Sequence, residues 1–224
     1  MFLTIASVVD EDALKAARAD MAKLSWQSGS KTAGAVAREV KRNLQADLSS
    51  SAGQALLMKL MSLLHGHPVL NAYARPSKWS DLLISRTEKG GGYGTHIDNP
   101  SMNSRQGRIR TDLSFTLFLS DPADYEGGEL VVDLAGVTHA IKGNAGDVVV
   151  YPSSTLHHVA EVTSGARYAC VGWIESRVRR ADQREIMFDL ENLKAELVGR
   201  GSANSPEGLI LQKTLANLTR MWGE

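Results

Sequence analysis

Six histidines occur in the chain: His65, His67, His96, His139, His157 and His158. Only one sits two residues from a carboxylate within a β-patterned run, in Thr95-His96-Ile97-Asp98. Side chains at i and i+2 of a strand leave from the same face, so His96 and Asp98 can converge on one ion. Two ligands do not hold a catalytic metal, and the third must come from another strand; His157 or His158, several turns further on, are the candidates. Two imidazoles and one carboxylate on one side of a metal leave the opposite positions open, which suits non-heme Fe(II) and oxygen chemistry. An isolated H-x-D run also arises by chance, with the histidine on the surface and the aspartate in a turn, and alone it favours that plain reading. Arg167 shifts the balance. It lies on the strand after His157, beyond the Thr163-Ser164-Gly165 turn, so a hairpin brings it towards the same cavity. A guanidinium donates two parallel hydrogen bonds to a carboxylate, so a small diacid could chelate the metal at one end and meet Arg167 at the other. The plain alternative for Arg167 is a surface strand arginine.

The elements that must position these residues are short strands. β-rich runs fall at Leu82–Thr87, Tyr93–Asp98, Asp112–Ser120, Glu129–Asp133, Thr138–Lys142, Asp147–Tyr151, Leu156–Val162 and Ala166–Ile174. Turn signals divide them: Gly90-Gly91-Gly92, Asp121-Pro122, Gly127-Gly128, Gly143-Asn144 and Ser164-Gly165. Strands at this spacing without intervening helices predict an antiparallel sandwich or barrel. Arg167-Tyr168-Ala169-Cys170-Val171-Gly172-Trp173 alternates well enough to have two distinct faces. Helices flank this middle. Asp10 is an N-cap candidate before Glu11 and Asp12, with Leu14, Ala17, Met21 and Leu24 at helical spacing. A second helix is expected from about Ala52 to Leu64, ending before Pro68. Gly29 to Asp47 is ambiguous, since its Ala-Val-Ala-Arg-Glu-Val run suits a helix while the preceding Gly, Ser and Thr suit a loop. Asp182 to Leu197 places Ile186, Leu190, Leu193 and Leu197 on one stripe, and Gly208 to Trp222 makes a last amphipathic segment; both are expected to pack on the sheet.

Composition limits the classes of function. The 224 residues carry 25 basic and 25 acidic side chains, so no net charge drives binding to nucleic acid or a membrane surface. One cysteine, Cys170, forms neither an internal disulfide nor a cysteine-based zinc site. No apolar run reaches the length of a membrane span and the N-terminus lacks a leader pattern, so a cytoplasmic protein is expected.

Several linked motifs, in order, resemble one family. They are His96-Ile97-Asp98; Arg110-Thr111-Asp112-Leu113-Ser114; Leu117-Phe118-Leu119-Ser120-Asp121-Pro122; Tyr125-x-Gly127-Gly128-Glu129-Leu130; and Gly146-Asp147-x-Val149-x-Tyr151-Pro152-Ser153-Ser154-x-Leu156-His157. The run is similar to the PKHD-type hydroxylases, relatives of the prolyl 4-hydroxylases among the Fe(II)- and 2-oxoglutarate-dependent dioxygenases, and the similarity spans nearly the whole chain. It implies a double-stranded β-helix (jelly roll), mainly β within an α+β chain. An N-terminal helical region (1–77), a catalytic β core (78–177) and a helical C-terminal extension (178–224) are expected. It further implies His96, Asp98 and His157 as iron ligands, Arg167 on the distal carboxylate of 2-oxoglutarate, and hydroxylation of a primary substrate with release of succinate and carbon dioxide. Ascorbate would rescue oxidised iron, as in relatives. The family histidine follows Pro-Ser-Ser-x-Leu, which selects His157; His158, adjacent on the strand, should point away.

One position departs from the family. Where relatives commonly carry Arg-Tyr nine to ten residues ahead of the first ligand, this chain has Arg86-Thr87; if that tyrosine contacts 2-oxoglutarate, Thr87 removes the contact or reaches it only through water. Tyr93 remains as a possible source of a hydroxyl for the cosubstrate, with a core aromatic as the equal alternative. Val40-Lys41-x-Asn43-x-Gln45 also resembles a family segment and favours an extended, site-lining stretch. The polar loop Asn99–Arg108 should rim the entrance, and nothing in it separates a peptide side chain from a small molecule as substrate. Two other functions stay open: a non-catalytic metal- or acid-binding module on this fold, and a cupin-like metal enzyme in which Arg167 has no role. Among the remaining residues, His139 is expected to face outward, His65 and His67 to cap the second helix, Cys170 to be buried, and Trp26, Trp79, Trp173 and Trp222 to anchor packing. The C-terminal helices could support a homodimer.

Overall fold

The computed structural model describes residues 2–32, 39–105, 107–134 and 136–224. The chain opens with a short strand, β1 (Leu3–Ile5), and then Asp10, whose Oδ1 accepts the Ala13 N–H at 2.8 Å. That cap starts α1 (Glu11–Met21), with Glu11 and Asp12 at its positive end and Leu14, Ala17 and Met21 buried. Then come β2 (Trp26–Ser28), β3 (Lys41–Arg42) and β4 (Leu44–Ala46). Two helices follow, α2 (Ser51–Gly66) and α3 (Pro68–Ala74). The β region contains β5 (Pro76–Trp79), β6 (Leu83–Glu88), β7 (Gly92–His96), β8 (Ser101–Ser104), β9 (Gly107–Arg110) and β10 (Leu113–Phe118). It continues through β11 (Tyr125–Gly127), β12 (Leu130–Leu134), β13 (Val137–Ile141), β14 (Val148–Pro152), β15 (His157–Val159) and the long β16 (Val162–Ser176). Two helices, α4 (Ala181–Gly199) and α5 (Pro206–Trp222), close the chain.

The strands form two antiparallel sheets and a small hairpin. The large sheet runs β1-β14-β10-β16-β6-β4-β2, with β5 and β11 also pairing to β16; the small sheet runs β13-β12-β15-β7-β3; β8 and β9 pair alone. This is the jelly-roll sandwich that the strand spacing predicts. All eight predicted runs are strands, with boundaries moved by a few residues. The large sheet has two unlike faces because its strands alternate strictly. Leu113, Phe115 and Leu117 of β10, Val148 and Val150 of β14, and Cys170 and Ile174 of β16 turn towards α1, α2 and α3. They meet Leu56, Leu60, Leu64 and Leu70 there, each of which is fully buried. Gly172 belongs to this face by necessity: a Cβ there would stand 2.7 Å from the Phe115 ring. The opposite face looks towards the small sheet, where Phe118, Val149 and Tyr151 pack on Leu130 and Val132.

Some expectations need correction. Pro68 does not merely follow the second helix; it occupies the first turn of α3, where its missing N–H costs nothing. His67 caps both helices: its backbone N–H donates to the Leu64 carbonyl at 3.3 Å to end α2, and its Nδ1 accepts from the Leu70 N–H at 3.4 Å to start α3. His65 packs its ring on Trp79 at 4.4 Å, and burial holds its pKa below the ordinary value, so it is not a helix-terminal cation. On α4 the buried side chains are Arg184, Met187 and Phe188, whereas Ile186 and Leu193 of the expected stripe are exposed. Phe188 meets Tyr73 of α3 edge-on at 5.3 Å, so α4 docks on a helix. Asn99–Arg108 is largely the β8–β9 hairpin. Of the ambiguous Gly29–Asp47 stretch, residues 33–38 lie outside the described residues, and the remainder includes β3 and β4, in extended form. Cys170 is buried as expected, its thiol pushed up to about 12 by desolvation. No helix among the described residues is long and apolar enough to cross a membrane.

Candidate metal centre and its cavity

β7 and β15 lie side by side in the small sheet with His157 opposite His96 in register. The strand pairing thus brings together two imidazoles that are distant in the chain, with ring centroids 4.2 Å apart. Asp98, just past the end of β7, completes the group: one ligand atom from each of His96, Asp98 and His157 can be chosen so that all lie within 4.8 Å of one another. Asp98 Oδ2 stands 3.7 Å from His157 Nε2.

Each of the three is held by a neighbour. His96 Nδ1 is 2.8 Å from the Gly94 carbonyl and His157 Nδ1 is 2.9 Å from that of Thr155. A carbonyl only accepts, so each Nδ1 carries the proton and each Nε2 keeps its lone pair for an ion. Ser114, on the inward face of β10, donates its hydroxyl to Asp98 Oδ2 at 2.5 Å and lies 2.7 Å from the Ser153 hydroxyl. Tyr93 stacks on His96 at 3.7 Å between centroids and so fixes the ring plane. Burial, and then the neighbouring His157, hold His96 far below its ordinary pKa, so its imidazole is neutral and ready to coordinate.

The group opens on a cavity of about 520 Å³ between the two sheets. That falls within the roughly 300–1,000 Å³ typical of small-molecule sites. Arg167 closes one end. It is 3% exposed, it faces the Phe118 ring at 5.5 Å, and its Nε and Nη2 have no hydrogen-bond partner. A buried guanidinium without acceptors is costly, and a carboxylate is the group that would satisfy it. Burial pulls its pKa down, with Tyr125 and Tyr151 opposing, yet an arginine keeps its charge. The Tyr125 hydroxyl is also buried and unsatisfied; it lies close enough to feel the Arg167 charge without making a well-formed hydrogen bond. The double glycine makes this proximity possible. Gly127 and Gly128 both have φ near +70°, at 69° and 68°. A Cβ on Gly128 would sit 3.1 Å from the Tyr125 ring and 3.2 Å from Arg167 Cδ.

The five residues singled out in the sequence therefore share one cavity: His96, Asp98, His157, Arg167 and Tyr93 all line it. His158 does not, being on the other face of β15. His139 does not face outward as expected: it lies opposite Val132, itself opposite His157, and is half-buried against Phe2 at 4.7 Å, though it is not among the residues lining the cavity. Lys41, Asn43 and Gln45 line the cavity too, as the extended reading of that segment predicts. Thr87 is buried beside Arg167 in register. Sequence reasoning missed Ser114, Tyr125 and Tyr151 as individual contributors, although each stood in a quoted motif. It also assigned Trp173 to packing alone, whereas this residue lines the cavity with an unpartnered Nε1.

The donor set fits a ferrous ion, and the unsatisfied arginine fits a diacid. Comparison with known proteins agrees. The profile of the 2OG-Fe(II) oxygenase superfamily matches residues 82–175. A PKHD-type hydroxylase of Hyphomonas neptunium is 49% identical over 99% of both chains. Among solved structures, a Pseudomonas putida prolyl-4-hydroxylase has a TM-score of 0.53 at 21% identity, covering 79% of this chain and 92% of that one. A prolyl hydroxylase from Trichoplax adhaerens, in complex with a hypoxia inducible factor peptide fragment, has a TM-score of 0.59 at 16% identity, covering 80% and 86%. These structural likenesses establish the fold, a double-stranded β-helix with flanking helices.

Proposed function

The chain belongs to the PKHD-type hydroxylases, 2-oxoglutarate-dependent enzymes of the 2OG-Fe(II) oxygenase superfamily, and from that premise we propose that His96, Asp98 and His157 hold its iron while Arg167 binds the distal carboxylate of 2-oxoglutarate. The observation that carries this reading is the shared cavity: three ligand atoms at one side, and unsatisfied guanidinium nitrogens at the other. When bound, iron and 2-oxoglutarate supply the oxidation of a substrate C–H bond by O2, with succinate and carbon dioxide as co-products.

The protein's own part is positional. Gly94 and Thr155 carbonyls fix the tautomers of His96 and His157, and the Ser114 hydroxyl aims Asp98. Tyr93 braces His96, and its hydroxyl borders the same space as the cosubstrate. Tyr125, whose buried hydroxyl has no partner beside Arg167, contributes the second donor to the distal carboxylate. Ascorbate would serve to return oxidised iron to the ferrous state. The primary substrate is a small molecule or a peptide side chain; the bound peptide of the Trichoplax enzyme makes the latter a natural class to test.

The test is anaerobic visible absorption on adding Fe(II) and then 2-oxoglutarate. A charge-transfer band that requires both is expected, absent in His157→Ala and retained in His158→Ala. Iron binding without that band would leave the cupin-like reading, and equal losses in the two variants would sink the ligand assignment.

A further inference from the structure

Three side chains that line the cavity hold a buried polar atom with no partner among the described residues: Arg167, Asn43 and Trp173. Arg167 is accounted for by the distal carboxylate. Asn43 turns to the wall: its Nδ2 donates to Ser85 Oγ at 2.7 Å, and its Oδ1 lies so close to Gly29 that a Cβ there would stand 1.9 Å away. Trp173 remains. It lies on β16 opposite Ser114, the residue whose hydroxyl holds Asp98. Arg167 is on the same face but six residues away, roughly 20 Å of extended strand, so the indole is level with the ligand group and not with the distal carboxylate. Ser80 fixes its backbone: the Trp173 N–H donates to Ser80 Oγ at 2.8 Å, and the Trp173 carbonyl accepts from the Ser80 N–H at 2.9 Å. Asp81, the next residue, lies 3.6 Å from Arg105 just past β8, which ties the β8–β9 hairpin to this wall. An indole N–H donates and never accepts, so the buried Nε1 carries a desolvation cost that an incoming acceptor removes.

The mouth fixes what kind of acceptor that is. Ile97, between His96 and Asp98, is 55% exposed, and Leu156, immediately before His157, is 50% exposed. Both line the cavity, as do Asn99 and, on the hairpin, Met102. None of these four carries a positive charge. A carboxylate brought to Trp173 would lose its water for one neutral donor, with Asp98 held one strand away; a carbonyl oxygen asks for no more than that donor. Resting on the hydroxylase reading of the site, we propose that Trp173 holds the primary substrate, donating from Nε1 to an uncharged carbonyl oxygen of the amide type. The aliphatic part of the substrate lies against Ile97, Met102 and Leu156. Trp173 is then a specificity residue: it selects a neutral amide over an acid and turns one C–H bond towards the three ligands.

The test reads the indole N–H itself by NMR. In the full chain loaded with redox-inert Zn(II) and 2-oxoglutarate, isotope-labelled indole nitrogens give one cross-peak for each of the four tryptophans, and Trp173→Phe identifies that of Trp173. The probes are N-methylisocaproamide and N-acetyl-L-leucine N-methylamide, set against isocaproate. At least one amide is expected to move the Trp173 indole proton downfield and to saturate, while isocaproate needs about tenfold more for the same shift. With Fe(II) in place of Zn(II), under argon, the same amide should shift the charge-transfer band, and Trp173→Phe should need about tenfold more of it, as for loss of one hydrogen bond. An indole proton unmoved by either amide, an acid that binds as tightly as its amide, or an unchanged amide response in Trp173→Phe would each overturn the proposal. A downfield shift on adding 2-oxoglutarate that the amides leave as it is would assign the indole to the cosubstrate and overturn it too. If the native protein forms no band with Fe(II) and 2-oxoglutarate, the hydroxylase-site reading fails, a result distinct from all of these.

Discussion

The two faces of the large sheet are cut from the same strands and do opposite work. Along β10, residues 113, 115 and 117 are Leu, Phe and Leu, packed against helices; residues 114, 116 and 118 are Ser, Thr and Phe, turned to the cavity. Along β16, Cys170 and Ile174 face the helices while Arg167, Val171 and Trp173 face the cavity. The helix side is dry and hydrocarbon-filled, so its residues contribute stability. The cavity side leaves polar atoms of Tyr125, Arg167 and Trp173 without partners, so it carries a cost that a ligand can recover. One backbone thus separates folding from chemistry by a single residue of register, and substitutions on neighbouring positions should give uncoupled effects.

The sharpest break of that contrast is Arg167→Met. Affinity for 2-oxoglutarate, measured by titrating the charge-transfer band, should fall about 100-fold or more, as when one partner of a buried charged contact is removed. The ligand-free protein should melt no lower than the native one, because an unsatisfied buried guanidinium has been replaced by a packed apolar chain. A large drop in melting temperature would show that Arg167 is a structural residue. On the other face, Leu117→Ala should lower unfolding free energy by about 2–5 kcal/mol in denaturant titration, through the void left in the helix-side core. Any surviving folded fraction should bind 2-oxoglutarate normally. Ser114→Ala, on the cavity face of the same strand, should reverse that pattern: metal affinity falls by roughly 10–100-fold as Asp98 loses its orienting donor, with little change in stability. The smallest effect is expected from Tyr125→Phe, which should weaken 2-oxoglutarate about tenfold and leave metal binding alone. An unchanged 2-oxoglutarate affinity there would remove Tyr125 from the cosubstrate site.

What could be read from the sequence follows from how far each signal extends. The run 167–173 alternates over seven residues, so its two faces were legible. The hairpin expected to bring Arg167 to the cavity is not there: Thr163-Ser164-Gly165 lies within β16, which belongs to the other sheet from β15. β2, β3 and β4 are two or three residues long and contain too little pattern to show a period; only the family-like Lys41-x-Asn43-x-Gln45 spacing marked the latter two as extended. α3 was hidden because a proline ends one helix and begins another with equal ease. On α4 the stripe of Ile186, Leu190, Leu193 and Leu197 had the right period and the wrong phase, since the helix buries its Arg184 side, where Nη1 donates to the carbonyls of Val178 and Arg179. The histidines and aspartate of the candidate centre were legible through their types and spacing. Tyr125 was not, because its approach to Arg167 depends on β11 pairing with β16, with Tyr125 opposite Gly165, a contact that no local pattern encodes.

The register that sets His157 opposite His96 also has a temporal consequence. β7 and β15 touch, yet the chain between them must first lay down the hairpin, β10, β12 and β14. Contacts of such long sequence separation are reached late, because the entropy of closing the intervening loop precedes any reward from pairing. A chain still emerging from the ribosome therefore offers an ion His96 and Asp98 without their partner. Full-strength capture waits for the last third of synthesis. An ion held by all three residues then acts as a clasp on the finished β7–β15 seam, favouring the folded state by mass action in proportion to the logarithm of its concentration. Scarcity of that ion would shorten the lifetime of the fold as well as halt its chemistry.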